Sequence, residues 1–178
     1  ETEMLEIDKE VKNAYRITDY DDKLKNAEKI NVLQDRIENA VKTGDDFNMR
    51  EKVFGFAPTD YIAVYKHIEE LAPFYKLWNM VADFHNSKDE WLHGEFKDLD
   101  GSKIEEDVTE WWKSSYKLSK QLEDDFPGSA RCAAKLREET TEFRKNMPVI
   151  QSLASKALKT RHWEALSELL GKEINPED

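Results

Sequence analysis

Residues 104–122 read IEEDVTEWWKSSYKLSKQL and carry the periodicity that decides the fold class. Their seam positions recur in steps of 4, 3, 4, 3 and 4 residues, the spacing of a heptad-like stripe along one face of an α-helix. Such a stripe is stable only when it is buried, as in a coiled coil, against other helices. The seam consists of Ile104, Val108, Trp111, Ser115, Leu118 and Leu122.

Helical spacing recurs on both sides of this stretch, whereas strict alternation of apolar and polar residues never lasts for four residues. We therefore predict an all-α fold, an elongated stack of antiparallel helices forming a bundle of about six to seven members. The predicted helices lie approximately at residues 3–17, 22–43, 60–91, 102–122, 129–146, 148–153 and 160–170.

Glycine and proline residues set the predicted ends of these helices. Gly44 is expected to stop the second helix, and the aromatic stretch 47–58 reads as a packed connector. Pro73 removes a backbone donor, so a kink or a short break is expected near Leu71–Ala72. Thr160 is predicted to cap the last helix.

Composition excludes several classes of partner. The formal net charge is −11, and no dense patch of lysine and arginine is present, so neither nucleic acid nor an anionic membrane is an expected partner. The same acidity argues against direct binding to an acidic polymer such as a microtubule. No apolar run reaches the length of about 20 residues that a membrane span requires.

The single cysteine, Cys132, precludes an internal disulfide and points to a reducing compartment, with burial in a helix as its expected place. The first residue is Glu1 rather than methionine, so we expect an internal fragment that is truncated at both ends.

A metal site is the one catalytic pattern that the sequence offers. His85, Asp89 and His93 have i, i+4, i+8 spacing, and Glu90 with His93 matches half of a di-iron bundle motif. The second Glu-x-x-His is missing, so a solvated helix end is the favoured interpretation. The six glycines are isolated and form no phosphate-binding loop. We predict no catalytic residue, no metal, no cofactor and no enzymatic activity.

The neighbouring residues Trp111 and Trp112 give more information about packing than the histidines do. Trp111 and Trp112 point about 100° apart on a helix, so only Trp111 can enter the seam. Trp112 and Tyr116, at i and i+4, form a second aromatic stripe. Either another helix of the same domain covers this stripe, which is the favoured interpretation, or it is an interface with a neighbouring element.

Arg161-His162-Trp163 is the sharpest local signal. A cation in the first turn of a helix is disfavoured by the macrodipole, so we expect Arg161 to bind a carboxylate or carbonyl on another helix. Trp163 is expected to be buried beside it, and His162 is not expected to be catalytic.

A set of motifs follows in order along the chain: Arg50–Phe56, Leu77-Trp78, Trp91-x-x-Gly94-x-Phe96, Trp112–Lys120 without its variable positions, Met147–Leu153, Arg161–Leu166 and Leu170-Gly171. Together these motifs resemble the second N-terminal region of dynein heavy chains, which builds much of the linker. Singly each motif is weak, but the ordered set is specific, and its details resemble axonemal members. Among these residues we take Trp78, Trp91, Trp111, Pro148, Arg161, His162 and Trp163 as the structural signature.

The resemblance implies a mechanical role. Residues 1–48 would be a helical segment at the entry from the tail, and residues 49–178 the N-terminal helical region of the linker. In this family the linker lies across a ring of AAA modules and transmits ATP-driven changes of the ring to the tail. The implied partners are the AAA ring of the same heavy chain, neighbouring tail segments, and intermediate and light chains. The implied location is the cytoskeleton of the cytoplasm, in the axoneme of a cilium or flagellum.

A spectrin-like helical scaffold or protein-interaction module is the alternative. Such a scaffold needs an internal repeat, and the five tryptophans do not recur at a fixed interval.

Overall fold

The computed structural model describes residues 2–95 and 98–174. These residues form helices joined by turns, and no strand occurs among them, which confirms the all-α prediction. None of the described helices combines the length and the apolar character needed to cross a membrane. The helices are α1 (Thr2–Ala14), α2 (Lys23–Val53), α3 (Ile62–His93), α4 (Gly101–Leu122), α5 (Pro127–Arg144), α6 (Met147–Leu153) and α7 (Thr160–Leu170).

The chain divides into two compact units. Unit 1 comprises Glu1–Ala82 and Lys117–Ala133, and unit 2 comprises Asp83–Tyr116 and Ala134–Asp178. The predicted boundary between residues 48 and 49 falls inside α2, and the division into a tail-entry and a linker segment stays a prediction.

Unit 1 is built on the apolar stripes of α1, α2 and the first part of α3. Burial of these stripes supplies its main stabilisation, because each large apolar side chain removed from water contributes about 1.5–3 kcal/mol. Tyr15, Phe74 and Phe126 form an aromatic triad with ring centroids 4.9–5.0 Å apart. Cys132 is buried as predicted, and its Sγ lies 3.4 Å from the carbonyl oxygen of Thr18.

The predicted stop at Gly44 is wrong, because α2 continues through it to Val53. Glycine inside a helix costs roughly 0.5–1 kcal/mol relative to alanine. Here it allows a close approach, since a Cβ atom at Gly44 would lie 3.1 Å from the ring of Tyr61. Gly44 is buried, so packing against a residue distant in sequence overrides the local signal.

The prediction of a packed connector at residues 47–58 is also wrong, both in its bounds and in its packing. Its first part is the last turns of α2, and the true connector begins at Phe54. Val53, Phe54 and Phe56 are 78%, 74% and 68% exposed, so the aromatic residues face solvent. Gly55, with φ of 76°, makes the turn that ends the helix.

Pro73 lies inside α3 without the predicted break, because the helix runs on from Ile62 to His93. The carbonyl that loses its partner belongs to Glu69, which is an exposed residue. The cap predicted at the start of α7 is shifted by one residue: Lys159 is the N-cap, and Thr160 is the first helical residue. Gly171 ends α7 in the left-handed conformation, as glycine does at this position.

Unit 2 has an aromatic core around Phe84, which is fully buried. The ring of Phe84 meets Trp111 and Phe143 edge to face, with centroids 5.9 and 6.0 Å away. Trp91 packs against both of these rings, at 6.1 and 5.4 Å. Edge-to-face pairs contribute about 0.5–1.5 kcal/mol beyond the area that they bury, so this cluster anchors α3, α4 and α5 within the unit.

Candidate functional site

The three side chains of the candidate metal site do not converge. His85 lies 2.9 Å (Nε2 to Oε2) from Glu139 of α5, and its ring is part-buried. His93 lies 3.1 Å from Asp89, and both side chains are exposed. Within residues 2–95 and 98–174, no group of three histidine, cysteine or acidic side chains has the geometry of a metal site.

A polar cluster of unit 1 joins α1 to α3 and was missed by the sequence analysis. His67 is only 8% exposed; its Nδ1 lies 3.0 Å from Glu70 and its Nε2 lies 4.0 Å from Asp8. Burial, together with the charge of Glu70 and the hydrogen bond to it, raises the pKa of Tyr15 to about 12. The cluster therefore holds a carboxylate between a phenol and an imidazole. Its groups satisfy one another, which is what a structural link between two helices requires.

The carboxyl of Glu70 makes this link sensitive to pH. Burial raises its pKa, but hydrogen bonds from His67 and Lys66 outweigh burial, and the net pKa lies below the ordinary value of 4.5. A carboxyl whose pKa is lowered by folding stabilises the fold above its unfolded pKa, and this contribution is lost as the pH falls through the folded value.

We predict that Glu70→Gln lowers the free energy of unfolding at pH 7. The difference in free energy of unfolding between this variant and the parent chain should shrink as the pH falls from about 5 to about 3, where carboxyl groups titrate. Urea unfolding followed by circular dichroism measures both values. Glu69→Gln, at an exposed position of the same helix, is the matched control and should show no such dependence. A difference for Glu70→Gln that stays constant down to pH 3 would contradict the link.

The Trp112 stripe lies against α5 of the same unit. The indole Nε1 of Trp112 donates a hydrogen bond to Thr141 Oγ1 at 3.0 Å. The guanidinium of Arg137 lies 5.1 Å from the Trp112 ring and 4.2 Å from the Tyr116 ring, and that of Arg144 lies 4.9 Å from Trp112. Trp112 is half-buried and Tyr116 is 45% exposed. We call these five residues the aromatic–arginine face. An interface role for Trp112 and Tyr116 stays a prediction.

The arginines of this face were not among the residues predicted from the sequence. Arg137, Thr141 and Arg144 have i, i+4, i+7 spacing, so they share one side of α5. That stripe is readable in the sequence, but only the fold shows that it meets Trp112 and Tyr116.

The Arg161-His162-Trp163 motif caps α7. Nδ1 of His162 accepts a hydrogen bond from the backbone N–H of Lys159 at 2.9 Å, so the imidazole fills the place that Glu or Gln holds in a capping box. Trp163, the next residue, is buried. Arg161 is exposed; its Nε lies 3.3 Å from His162, and it forms no ion pair with a carboxylate of the described residues. The expected partner on another helix is therefore not observed.

The capping role of His162 predicts losses of stability of different size for two substitutions at this position. His162→Ala should lower the free energy of unfolding by about 0.5–2 kcal/mol, because the N–H of Lys159 loses its acceptor. His162→Gln should recover most of that loss, since glutamine is an ordinary capping-box residue at this position. Chemical denaturation measures both. Equal losses in the two variants would show that ring packing, rather than the cap, is what His162 supplies.

The other signature residues have structural positions. Trp78 is fully buried in unit 1, and Trp91 and Trp111 are half-buried in the aromatic core of unit 2. Pro148 occupies the first turn of α6, where its missing N–H costs no helical hydrogen bond. Phe96, the last residue of the Trp91 motif, lies outside the described residues.

A family model described as dynein heavy chain, N-terminal region 2, matches residues 64–178. This stretch contains every motif noted in the sequence except Arg50–Phe56, which precedes it.

Several curated proteins are similar to this chain. Dynein axonemal heavy chain 1 of Mus musculus is 29% identical over 130 residues, covering 73% of this chain and 3% of that protein. Dynein axonemal heavy chain 3 of Homo sapiens is 27% identical over 129 residues, covering 72% and 3%. Dynein axonemal heavy chain 8 of Homo sapiens is 28% identical over 131 residues, covering 74% and 3%. The chain thus spans a small fraction of the length of the relatives that it matches.

Proposed function

This chain belongs to the family of dynein heavy chain N-terminal region 2, and from that premise we propose that it is a non-catalytic, load-carrying segment of the linker and adjoining tail of an axonemal dynein heavy chain. The family match over residues 64–178 carries the proposal. The similarity to axonemal heavy chains supports a place in the cytoskeleton of a cilium or flagellum.

The packing of each unit supports a mechanical role. An element that transmits force must resist deformation, and close-packed interiors have low compressibility. In unit 1, Trp78, Phe74 and Leu77 of α3 are all 0–1% exposed. In unit 2, the rings of Phe84, Trp91, Trp111 and Phe143 hold three helices together.

The same proposal assigns the partners. The segment would contact the AAA ring of its own heavy chain and neighbouring parts of the tail, and intermediate and light chains would bind in the assembled complex. ATP hydrolysis would belong to the ring and microtubule binding to other parts of the heavy chain. The net charge of −11 agrees with a segment that does not itself bind the acidic microtubule surface. The alternative of a spectrin-like scaffold is not favoured, since the matching family is that of dynein heavy chains.

The decisive experiment measures ATP hydrolysis by the AAA ring separately from microtubule movement. A heavy chain that carries this segment is compared with one in which an unrelated helical bundle of equal length replaces it. We expect the replacement to keep ATP hydrolysis and to slow microtubule gliding strongly. Unchanged gliding would overturn the mechanical role. ATP turnover by the isolated 178-residue chain would overturn the assignment of hydrolysis to the ring.

A further inference from the structure

The aromatic–arginine face holds two cations for which the described part of the chain offers no counter-ion. Neither Arg137 nor Arg144 forms an ion pair or a side-chain hydrogen bond with any residue that the structure describes. This is unexpected in a chain with 38 acidic and 27 basic residues. Both guanidiniums instead lie over the ring of Trp112, and Arg137 also lies over Tyr116.

Four carboxylates on α4 and α5 of unit 2 make contacts with other groups. Glu142 pairs with Lys145, and Glu139 pairs with His85. On α4, Glu110 accepts a hydrogen bond from Ser114, and Glu105 accepts one from Gln151. None of these four carboxylates pairs with Arg137 or Arg144, so they leave both guanidiniums without an ion partner among the described residues.

The aromatic rings fix the arginines in a state suited to binding. Stacking on a ring restrains the long side chain and leaves the N–H edges of the guanidinium open. The hydrogen bond from Trp112 to Thr141 holds the indole in place, so the platform is itself anchored. A planar guanidinium held in this way matches a carboxylate through two parallel hydrogen bonds.

We propose that the aromatic–arginine face is a docking site for an acidic helix of a partner polypeptide, which places two carboxylates against Arg137 and Arg144. The arginines are seven residues apart on α5, but both converge on one ring, so the carboxylates of the ligand must also be close. Glutamates at i and i+4 of a helix, about 5–6 Å apart, satisfy this requirement. Tyr116, 45% exposed, supplies apolar contact area beside them.

Charge favours a protein ligand over a polyanion. Nucleic acid and anionic membranes are bound by extended basic surfaces, and binding strengthens with the number of phosphates neutralised. This face offers two arginines in a chain of net charge −11, which repels a long polyanion. A short segment with two carboxylates limits that repulsion, because it contacts only the two guanidiniums and the rings beside them.

The test uses the whole 178-residue chain and a helical peptide of alanine and lysine with one Glu pair at i and i+4. Nuclear magnetic resonance follows the indole N–H signal of Trp112, assigned through Trp112→Phe, during titration. We expect a saturable shift of this signal with the Glu peptide and none with the same peptide carrying Gln. Arg137→Gln with Arg144→Gln should weaken binding at least about tenfold. Lysine at both positions should recover only part of the affinity, since it lacks the planar fork.

The matched control removes two cations elsewhere. Arg50→Gln with Lys52→Gln, both at exposed positions of α2, should leave peptide binding unchanged. Circular dichroism establishes that each variant is folded. Equal binding of the Glu and Gln peptides, or equal loss in the control, would overturn the proposal. So would tighter binding of a DNA oligonucleotide than of the Glu peptide, or occupation of the face by a second copy of this chain, detected as a dimer that the double arginine variant abolishes.

Discussion

Replacing Trp78 by alanine is expected to lower the free energy of unfolding by about 3–5 kcal/mol, the range for deleting a large aromatic side chain from a packed core. Trp78 is 0% exposed and is the largest fully buried side chain of the described residues. Its neighbours cannot all collapse into the space that it leaves, so a cavity adds to the lost burial. Urea unfolding followed by circular dichroism measures the loss.

Two further variants make this result specific. Tyr75→Ala removes another aromatic ring from the same helix, but Tyr75 is 39% exposed, so its loss should be much smaller. Trp78→Phe should also cost less than alanine, because it retains a ring and removes an indole Nε1 that is buried without a hydrogen-bond partner among the described residues. Equal losses in Trp78→Ala and Tyr75→Ala would show that Trp78 does not anchor unit 1.

Periodicity predicted the part of the fold that depends on burial along one helix. In the α4 seam, Ile104, Val108, Ser115, Leu118 and Leu122 are all buried, and Trp111 is half-buried. The prediction succeeds because the free energy of burying an apolar stripe dominates the placement of an amphipathic helix.

Local signals failed where a distant residue decides the outcome. Gly44 reads as a helix stop, yet contact with Tyr61, seventeen residues later, makes a glycine useful inside α2. The aromatic residues of the connector were predicted to be packed, yet Phe54 and Phe56, which follow α2, face solvent. Such positions depend on which helices meet, and a single sequence does not contain that information.

In the aromatic–arginine face, too, the spacing within one helix was predictable from the sequence, whereas the contacts with another helix were not. The pairing of Trp112 with Tyr116 follows from i, i+4 spacing, but their arginine partners lie 25 and 32 residues after Trp112, on another helix. The capping role of His162 was likewise hidden, because histidine is not a usual capping-box residue and only the contact with Lys159 reveals it.

Replacing Phe84 by alanine is expected to lower the free energy of unfolding by about 3–5 kcal/mol and to disturb the tryptophans of unit 2. Phe84 is 0% exposed and touches Trp111 and Phe143 edge to face. The substitution deletes the shared partner of these rings, so Trp111 should gain solvent exposure. Chemical denaturation gives the energy, and a red shift of tryptophan emission before unfolding reports the exposure.

The same Phe→Ala substitution at an exposed site shows whether the loss of stability comes from burial or from the type of residue removed. Phe54→Ala removes the same ring from a position that is 74% exposed, so stability should change by no more than about 0.5 kcal/mol. Phe84→Leu keeps most of the apolar volume but lacks the ring edge that meets Trp111, and it should fall between the two. If Phe84→Ala were no worse than Phe54→Ala, the aromatic core would not stabilise unit 2, and the stiffness argued for this segment would lose its structural basis there.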